Sequence, residues 1–484
     1  MKTTTWLGFA ALLLLSACTG AGDGDTGVGS AAGTAAHGTE TDGQASAPAD
    51  AADGVPVKRA DPDEHVKLVV ATYYLSEQVE EAVKKYETLH PNIDIELHAT
   101  STSGTDLNDV LNKRDQFIKT NNTALLAGDG PDLIELDELP SEQYVKRHLL
   151  ADLNKLMKQD PDFQKEQYFA NIIDYAQSDG EGGLYGMPLY FSLVGLFGDA
   201  DAIGKAGVTF DDGSWTLSDS IDIGKQLKQK GDYEYAFANE PTALLNELVA
   251  ENYAQLVTVT NGNADFDAVA LADMMRQVKT MFEEELIHDF QSGGRPVTVT
   301  ASEGTPNGNS YFIETELYSL RDALMFAPYP HTKLYAKPHA ASAGDGGYFR
   351  TFGTFGINAN SAHQQEAWDF IKFLLDDWSV QSHINEQLDA SPGFPMNKSV
   401  YEQQKNKLLS DGTVKQRGSD AIQVDPALLE QVNAYLSAAV HPVGGPSKLE
   451  EIINDESKTF FAGQKSAEEA AKLIGNKINL LLNE

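Results

Sequence analysis

Hydrophobic and polar positions fall into two alternating periods along most of this chain. Val66-Lys67-Leu68-Val69-Val70-Ala71 is a short β-rich run, after which Val79, Ala82, Val83, Tyr86 and Leu89 recur on one helical face behind a Ser76 N-cap. Pro91 stops that helix, and Ile93, Ile95 and Leu97 alternate as a second strand. The pattern predicts a βαβ unit. A helical stretch from Asp106 to Leu126 is broken by Gly128-Asp129-Gly130-Pro131, and Asp132 to Leu136 reads as a third strand. Parallel strands joined through helices form an α/β layer whose ligands lie beyond the carboxyl ends of the strands. The loops after Ala71 and Leu136 are therefore expected to line a cleft.

The rest continues in the same style without an internal repeat. Gly183 to Pro188 is a turn into the apolar segment Leu189 to Phe197, and helical patterns cover 217–229, 241–256, 267–287 and 314–324. Strands are predicted at Val297 to Thr300 and Gly353 to Asn358. A following helix carries Ser361 and Gln364 at capping-box spacing, with Ala367, Phe370, Ile371 and Leu374 as its buried stripe. Ser466 and Glu469 open a second capped helix with Leu473, Ile474, Ile478 and Leu481 as its core face.

The first residues follow a different rule. Lys2 supplies a positive end and Trp6 to Leu15 an apolar run, so residues 1–17 are expected to be a signal peptide, too short to span a bilayer permanently. Leu15-Ser16-Ala17-Cys18 resembles the bacterial lipobox, which implies a lipid on Cys18 and a membrane anchor there. Residues 18–63 hold too few apolar side chains to order themselves and are expected to be a disordered tether with an r.m.s. span of roughly 35–40 Å.

Composition narrows the function. With 484 residues the chain is too long for one ordinary core, and 41% hydrophobic content allows more than one. Its 36 Lys+Arg against 72 Asp+Glu give a net charge of −36, which argues against nucleic acid as a partner because phosphate would be repelled. A single cysteine excludes an internal disulfide, a thiolate zinc site and an iron–sulfur cluster, and no cofactor or metal is expected. Gly-x-Ser-x-Gly, His-Glu-x-x-His and Gly-Lys-Ser/Thr motifs are absent, and a thiol nucleophile is closed off because Cys18 sits at the anchor. These observations favour a non-enzyme.

Several motifs then carry a family resemblance. Leu126-Ala127-Gly128-Asp129-Gly130-Pro131-Asp132-Leu133-Ile134, the Tyr-Gly-x-Pro step within Gly183 to Phe197, Phe355 to Ser361 with the helix through Leu374, and Gly463 to Ala470 occur in this order. The chain resembles the extracellular solute-binding lipoproteins of ABC importers, in the maltose-binding-protein-like group. Where that group has Tyr-Asn after its first crossover, this chain has Phe197-Gly198. The resemblance implies a two-lobed α/β fold of the periplasmic-binding-protein type (type II), with hinge strands near Met187-Pro188-Leu189 and Phe352-Gly353-Thr354. Lobe 1 would take residues 64–187 plus 355–412, and lobe 2 residues 188–354 plus 413–484. It further implies an extracytoplasmic, membrane-anchored monomer that captures a small-molecule solute, a saccharide as the leading class, and hands it to ABC permease subunits. An enzyme acting on glycans and a non-transport solute receptor remain alternatives.

Sugar sites combine aromatic faces with carboxylates and amides, so candidate ligand-binding residues are sought on cleft loops. Tyr73 and Tyr74 follow the first strand, Asp137 and Glu138 follow the third, and Tyr190 and Phe191 follow the crossover. Glu240, in Asn239-Glu240-Pro241, matches a family segment that reaches the cleft, and Tyr348, Phe349 and Arg350 precede the return crossover. Neighbouring strand-end residues point opposite ways, so one of Tyr73 and Tyr74 is expected in the core, while Asp137 and Glu138 compete with a reading as solvated loop acids and Tyr190 and Phe191 with one as packing residues. Thr242, and Ala301 to Gly304, stand where maltose-type relatives place rings, which leaves the solute class open. Arg295, Arg321 and Arg350 offer a carboxylated ligand a rival partner. Trp215 and Trp368 read as structural.

Overall fold

In the computed structural model Val66, Leu68 and Val70 turn inward from β1 (Val66–Tyr74), which pairs in parallel with β2 (Ile93–Ser101) from Val66↔Ile93 to Tyr74↔Ser101. The helix Glu77–Leu89 makes the crossover, as the periodicity predicts, and buries Ala82, Val83 and Tyr86. A 21-residue helix, Leu107–Ala127, leads into β3 (Leu133–Glu135), parallel to β1 on its other edge. The structure describes residues 59–61, 64–74, 77–101, 107–175, 182–260, 263–289, 310–326, 332–339, 345–377, 393–415, 421–444 and 447–483. The expected signal peptide, Cys18, most of the tether, Ser76, the strand Val297 to Thr300 and Arg295 lie outside the described residues.

The segment MPLYFSLVGLFGD forms β4 (Met187–Asp199), a strand buried along nearly its whole length, which explains its continuous apolar run. Two short ribbons follow it in the chain: β5 (Phe237–Asn239) pairs with β8 (Ile287–Asp289), and β6 (Val257–Thr260) with β7 (Asn263–Phe266). The remaining main strands are β9 (Phe312–Leu317), β10 (Thr332–Ala336) and β11 (Gly347–Ile357), with β12 (Phe394–Pro395), the pair β13 (Thr413–Val414) and β14 (Ile422–Gln423), and β15 (Ala439–Pro442). Along one edge β4 pairs first with β11 and then with β10; along the other it pairs with β12 and then β9, all antiparallel. β11 continues to β3, so among the described residues one nine-stranded mixed sheet runs β10-β4-β11-β3-β1-β2 with β9, β12 and β15 attached.

Two sides of β4 feed different cores. Leu189, Phe191, Leu193 and Phe197 join the largest cluster, together with β1, Leu133 and the stripe Ala367, Phe370, Ile371 and Leu374 of helix Gln364–Asp376. Leu196 joins Trp215, Tyr311, Phe312 and Tyr335 in a separate aromatic cluster. Another core is built wholly from residues 244–287 and 449–482, including Leu248, Met275, Ile453 and Ile474. A fourth holds Ala71, Phe117, Ile134 and Tyr144. Trp368 is fully buried and donates to Asp160 Oδ2 at 2.9 Å, while Trp215 stacks on Phe210 and donates to Ala336 O at 3.0 Å.

Some local expectations change. Residues 314–324 do not form one helix: residues 314–317 ladder onto β4 as the end of β9, and the helix begins at Leu320, because cross-strand pairing outweighs local propensity. The 241–256 pattern divides at Asn252 into helices Pro241–Glu251 and Tyr253–Leu256, and the 267–287 pattern ends at Glu283. Ser361 does not build a capping box. It accepts from His363 N and donates to Asp132 Oδ1 at 2.6 Å, while the Gln364 amide turns to Ala359 O. Ser466 and Glu469 do form the reciprocal pair, at 3.0 and 3.2 Å, opening the helix Ala467–Asn483. Among the described residues no helix is long and apolar enough to cross a membrane.

Candidate functional site

Polar side chains gather where β4 and β11 pass between the cores. On the side of β1 and β3, Tyr73 is half-buried: its N–H donates to Glu135 Oε2 at 2.9 Å, its hydroxyl donates to Val110 O at 3.0 Å, and its ring lies 5.8 Å from Phe117. Burial, then the nearby Asp137 charge, pushes the Glu135 carboxyl up to about 8. Asp137, two residues beyond β3, is exposed as a residue although protein atoms crowd its carboxylate. Its carboxylate accepts from Gly353 N at 2.6 Å and Thr354 N at 3.1 Å, and burial outweighs these bonds to push it up to about 6. Glu138 pairs with Arg114 Nε at 2.6 Å, and Arg114 Nη1 also lies 3.7 Å from Glu451.

On the side of β9 and β10, Lys337 is only 5% exposed and sits among three carboxylates: Glu251, Glu314 at 2.7 Å and Glu247 at 3.5 Å. Burial alone would lower its pKa, but the three acids reverse this and raise it well above the ordinary lysine value. Burial and the adjacent Glu314 charge raise Glu247, and burial raises Glu251 against the pull of Lys337. Asn239 ties the start of helix Pro241–Glu251 to this group by donating to Glu247 Oε2 at 3.0 Å. Next along the sheet, Arg350 Nε lies 3.5 Å from Glu316 Oε1, which also accepts from the Ser192 hydroxyl at 2.5 Å. A cavity of about 50 Å³ adjoins Lys337, Glu314 and Asn239, with Leu196, Phe237 and Met281 in its apolar wall.

The candidates named from sequence are distributed unevenly. Tyr73, Asp137 and Glu138 meet around Glu135, while Arg350 meets Glu316 and Ser192. Glu240 stands at the N-cap position of the helix Pro241–Glu251 without a side-chain capping bond, its N–H donating to Asn239 Oδ1 at 2.8 Å. Tyr74 is 51% exposed at the end of β1. Phe191 and Phe349 are fully buried in the largest core, Tyr348 is fully buried beside His441, and Tyr190 is 8% exposed. Sequence reasoning passed over Lys337, Glu247, Glu251, Glu314 and Glu316. The available signal was spacing: Glu314 and Glu316 share a face only in a strand, and Glu247 and Glu251 share one in a helix.

Carboxylates held in fixed orientation beside amides and hydroxyls suit a guest rich in hydroxyl donors. Cores joined by two long strands, with such groups at the crossing, define a binding protein of the two-lobed α/β type. The family model for bacterial extracellular solute-binding proteins matches residues 74–377, and the chain belongs to that family. It is a binding protein and not an enzyme. The sn-glycerol-3-phosphate-binding periplasmic protein UgpB of Escherichia coli strain K12 is similar at 21% identity over 373 residues, covering 76% of this chain and 83% of that protein. Among solved structures, the sugar-binding protein MalE from Xanthomonas citri matches with a TM-score of 0.57 and 16% identity, covering 86% of this chain and 97% of that one. An extracellular solute-binding protein family 1 member from Alicyclobacillus acidocaldarius matches with a TM-score of 0.55 and 17% identity, over 88% and 100% of the two chains.

Proposed function

We propose that this chain is the substrate-binding component of an ABC importer, anchored through a lipid on Cys18, and that it captures a saccharide by closing two lobes about β4 and β11. The observation that carries the reading is the pairing of Asp137 with Gly353 and Thr354: a carboxylate of the first core grips the crossing strand at the residue where its backbone turns to φ +57°. The proposed lobes are residues 64–187 with 355–412 and residues 188–354 with 413–484. The cluster of 244–287 and 449–482 falls wholly in the second, and the cluster around Ile134 in the first. The largest core runs under the sheet across both, through Leu317, Leu334 and Leu428. A solute touching both lobes stabilises the closed arrangement by its differential affinity. A saccharide is favoured over a nucleotide or peptide because the crossing presents oriented acceptors rather than a run of free bases or a bare sheet edge.

A thermal-shift panel of mono-, di- and oligosaccharides, amino acids and peptides tests this, since a ligand selective for the folded state raises the melting temperature. A rise with a saccharide, accompanied by a smaller radius of gyration in X-ray scattering, is expected. A response confined to amino acids or peptides would remove the saccharide assignment.

A further inference from the structure

An anionic solute held in this cleft would need a base whose charge is not already matched. Arg350 is matched by Glu316, whose carboxylate is fixed in turn by the Ser192 hydroxyl, and the Glu251 charge also acts on Arg350. Lys337 is surrounded by Glu247, Glu251 and Glu314. Across the crossing Arg114 is shared between Glu138 and Glu451, and Arg321 donates to the carbonyl of Lys415. Asp137 adds a further carboxylate on Gly353, three residues, or about 10 Å, along β11 from Arg350. Among the described residues two bases at the sheet therefore stand against five carboxylates, so even with Glu247 protonated by its burial a phosphate or uronate placed there meets net negative potential in a partly desolvated site.

We infer that Glu316, with the carboxylates around Lys337, sets the charge specificity of the cleft: it refuses anionic solutes and takes uncharged ones. This rests on the solute-binding reading above and narrows its substrate class. Glu316 is the determinant because it neutralises Arg350, the half-exposed cation on the sheet face, while its own position is fixed by the Ser192 hydroxyl. The cleft thus excludes the phosphate that UgpB is named for.

The test is calorimetric titration with a panel of neutral oligosaccharides, a matching panel of oligouronides, and glycerol 3-phosphate, on the wild type and on Glu316→Gln. That substitution keeps a hydrogen-bonding side chain beside Ser192 while removing the charge. At least one neutral saccharide is expected to bind, with its uronide and glycerol 3-phosphate weaker by about tenfold or more. Raising the salt concentration should narrow that gap in the wild type, a readout that does not depend on how the variant folds. Glu316→Gln should narrow it by freeing Arg350. An anion binding as tightly as the best neutral saccharide overturns the inference and leaves the solute-binding reading standing. An unchanged gap in a folded Glu316→Gln overturns the role of Glu316. Silence across both panels overturns the saccharide reading and this inference with it.

Discussion

Gly353 adopts φ +57° in the middle of β11, and its neighbours Phe352 and Thr354 keep their pairing with Tyr190 and Pro188 while it does not. A Cβ there would meet Leu189 and Tyr190 at 3.6–3.7 Å, ordinary contact, so the requirement for glycine is conformational rather than steric. Gly353→Ala is expected to destabilise by about 1–2 kcal/mol, read as a lower urea midpoint with unchanged slope. Gly198 shows the opposite case. A Cβ would come within 2.7 Å of the Phe312 ring and 2.9 Å of Tyr335, which accounts for glycine where the family group has asparagine. Glu135 gives a pH prediction at the same scale. Its folded pKa near 8 exceeds the ordinary 4.5, so the folded state holds the proton more tightly. The stability this contributes is complete below about 4.5 and is lost as pH rises through 8. Glu135→Gln, an uncharged stand-in for the protonated acid, should therefore melt like the wild type at pH 4 and higher than it at pH 8.

At the scale of elements, local signals succeeded where the neighbours along the chain decide the outcome. The Ser466–Glu469 capping box is satisfied within four residues, and it forms. Ser466→Ala should cost about 1 kcal/mol in denaturant titration. The equivalent spacing at Ser361 fails because Asp132, far away in sequence, captures the serine hydroxyl and holds the strand–helix junction beside β3. Ser361→Ala therefore disturbs a tertiary contact rather than a helix start. Residues 314–324 fail as one helix for a related reason: Glu314 and Glu316 lie on a strand only because β4 supplies the ladder.

For the whole molecule, an ion pair bridges the proposed lobes. Arg114, on the helix Leu107–Ala127, reaches Glu451 on the helix Ser447–Phe461. Arg114→Ala removes one bridge and should enlarge the radius of gyration of the solute-free protein, with less effect once a tight solute is bound; equal scattering curves for both proteins would remove the bridge from the account of closure. The βαβ start, the buried β4 segment, the stripe of helix Gln364–Asp376 and the C-terminal helix were legible in sequence because each depends on a repeating pattern along a continuous stretch. The candidate site was legible only in outline: Asp137 and Arg350 could be placed on the right loops and strands, but not given their partners.

What the sequence by itself determined is the α/β class, the crossing segments and the family, since periodicity and motif order are properties of the chain read in one direction. Tertiary structure alone decided that Asp137 holds Gly353, that Glu316 neutralises Arg350, and that Lys337 sits among three acids. These pairs are 216, 34 and between 23 and 90 residues apart in the chain. Charge and hydrogen bonding act through space over a few ångströms, so their effect on a residue is fixed only once strands from distant segments have paired.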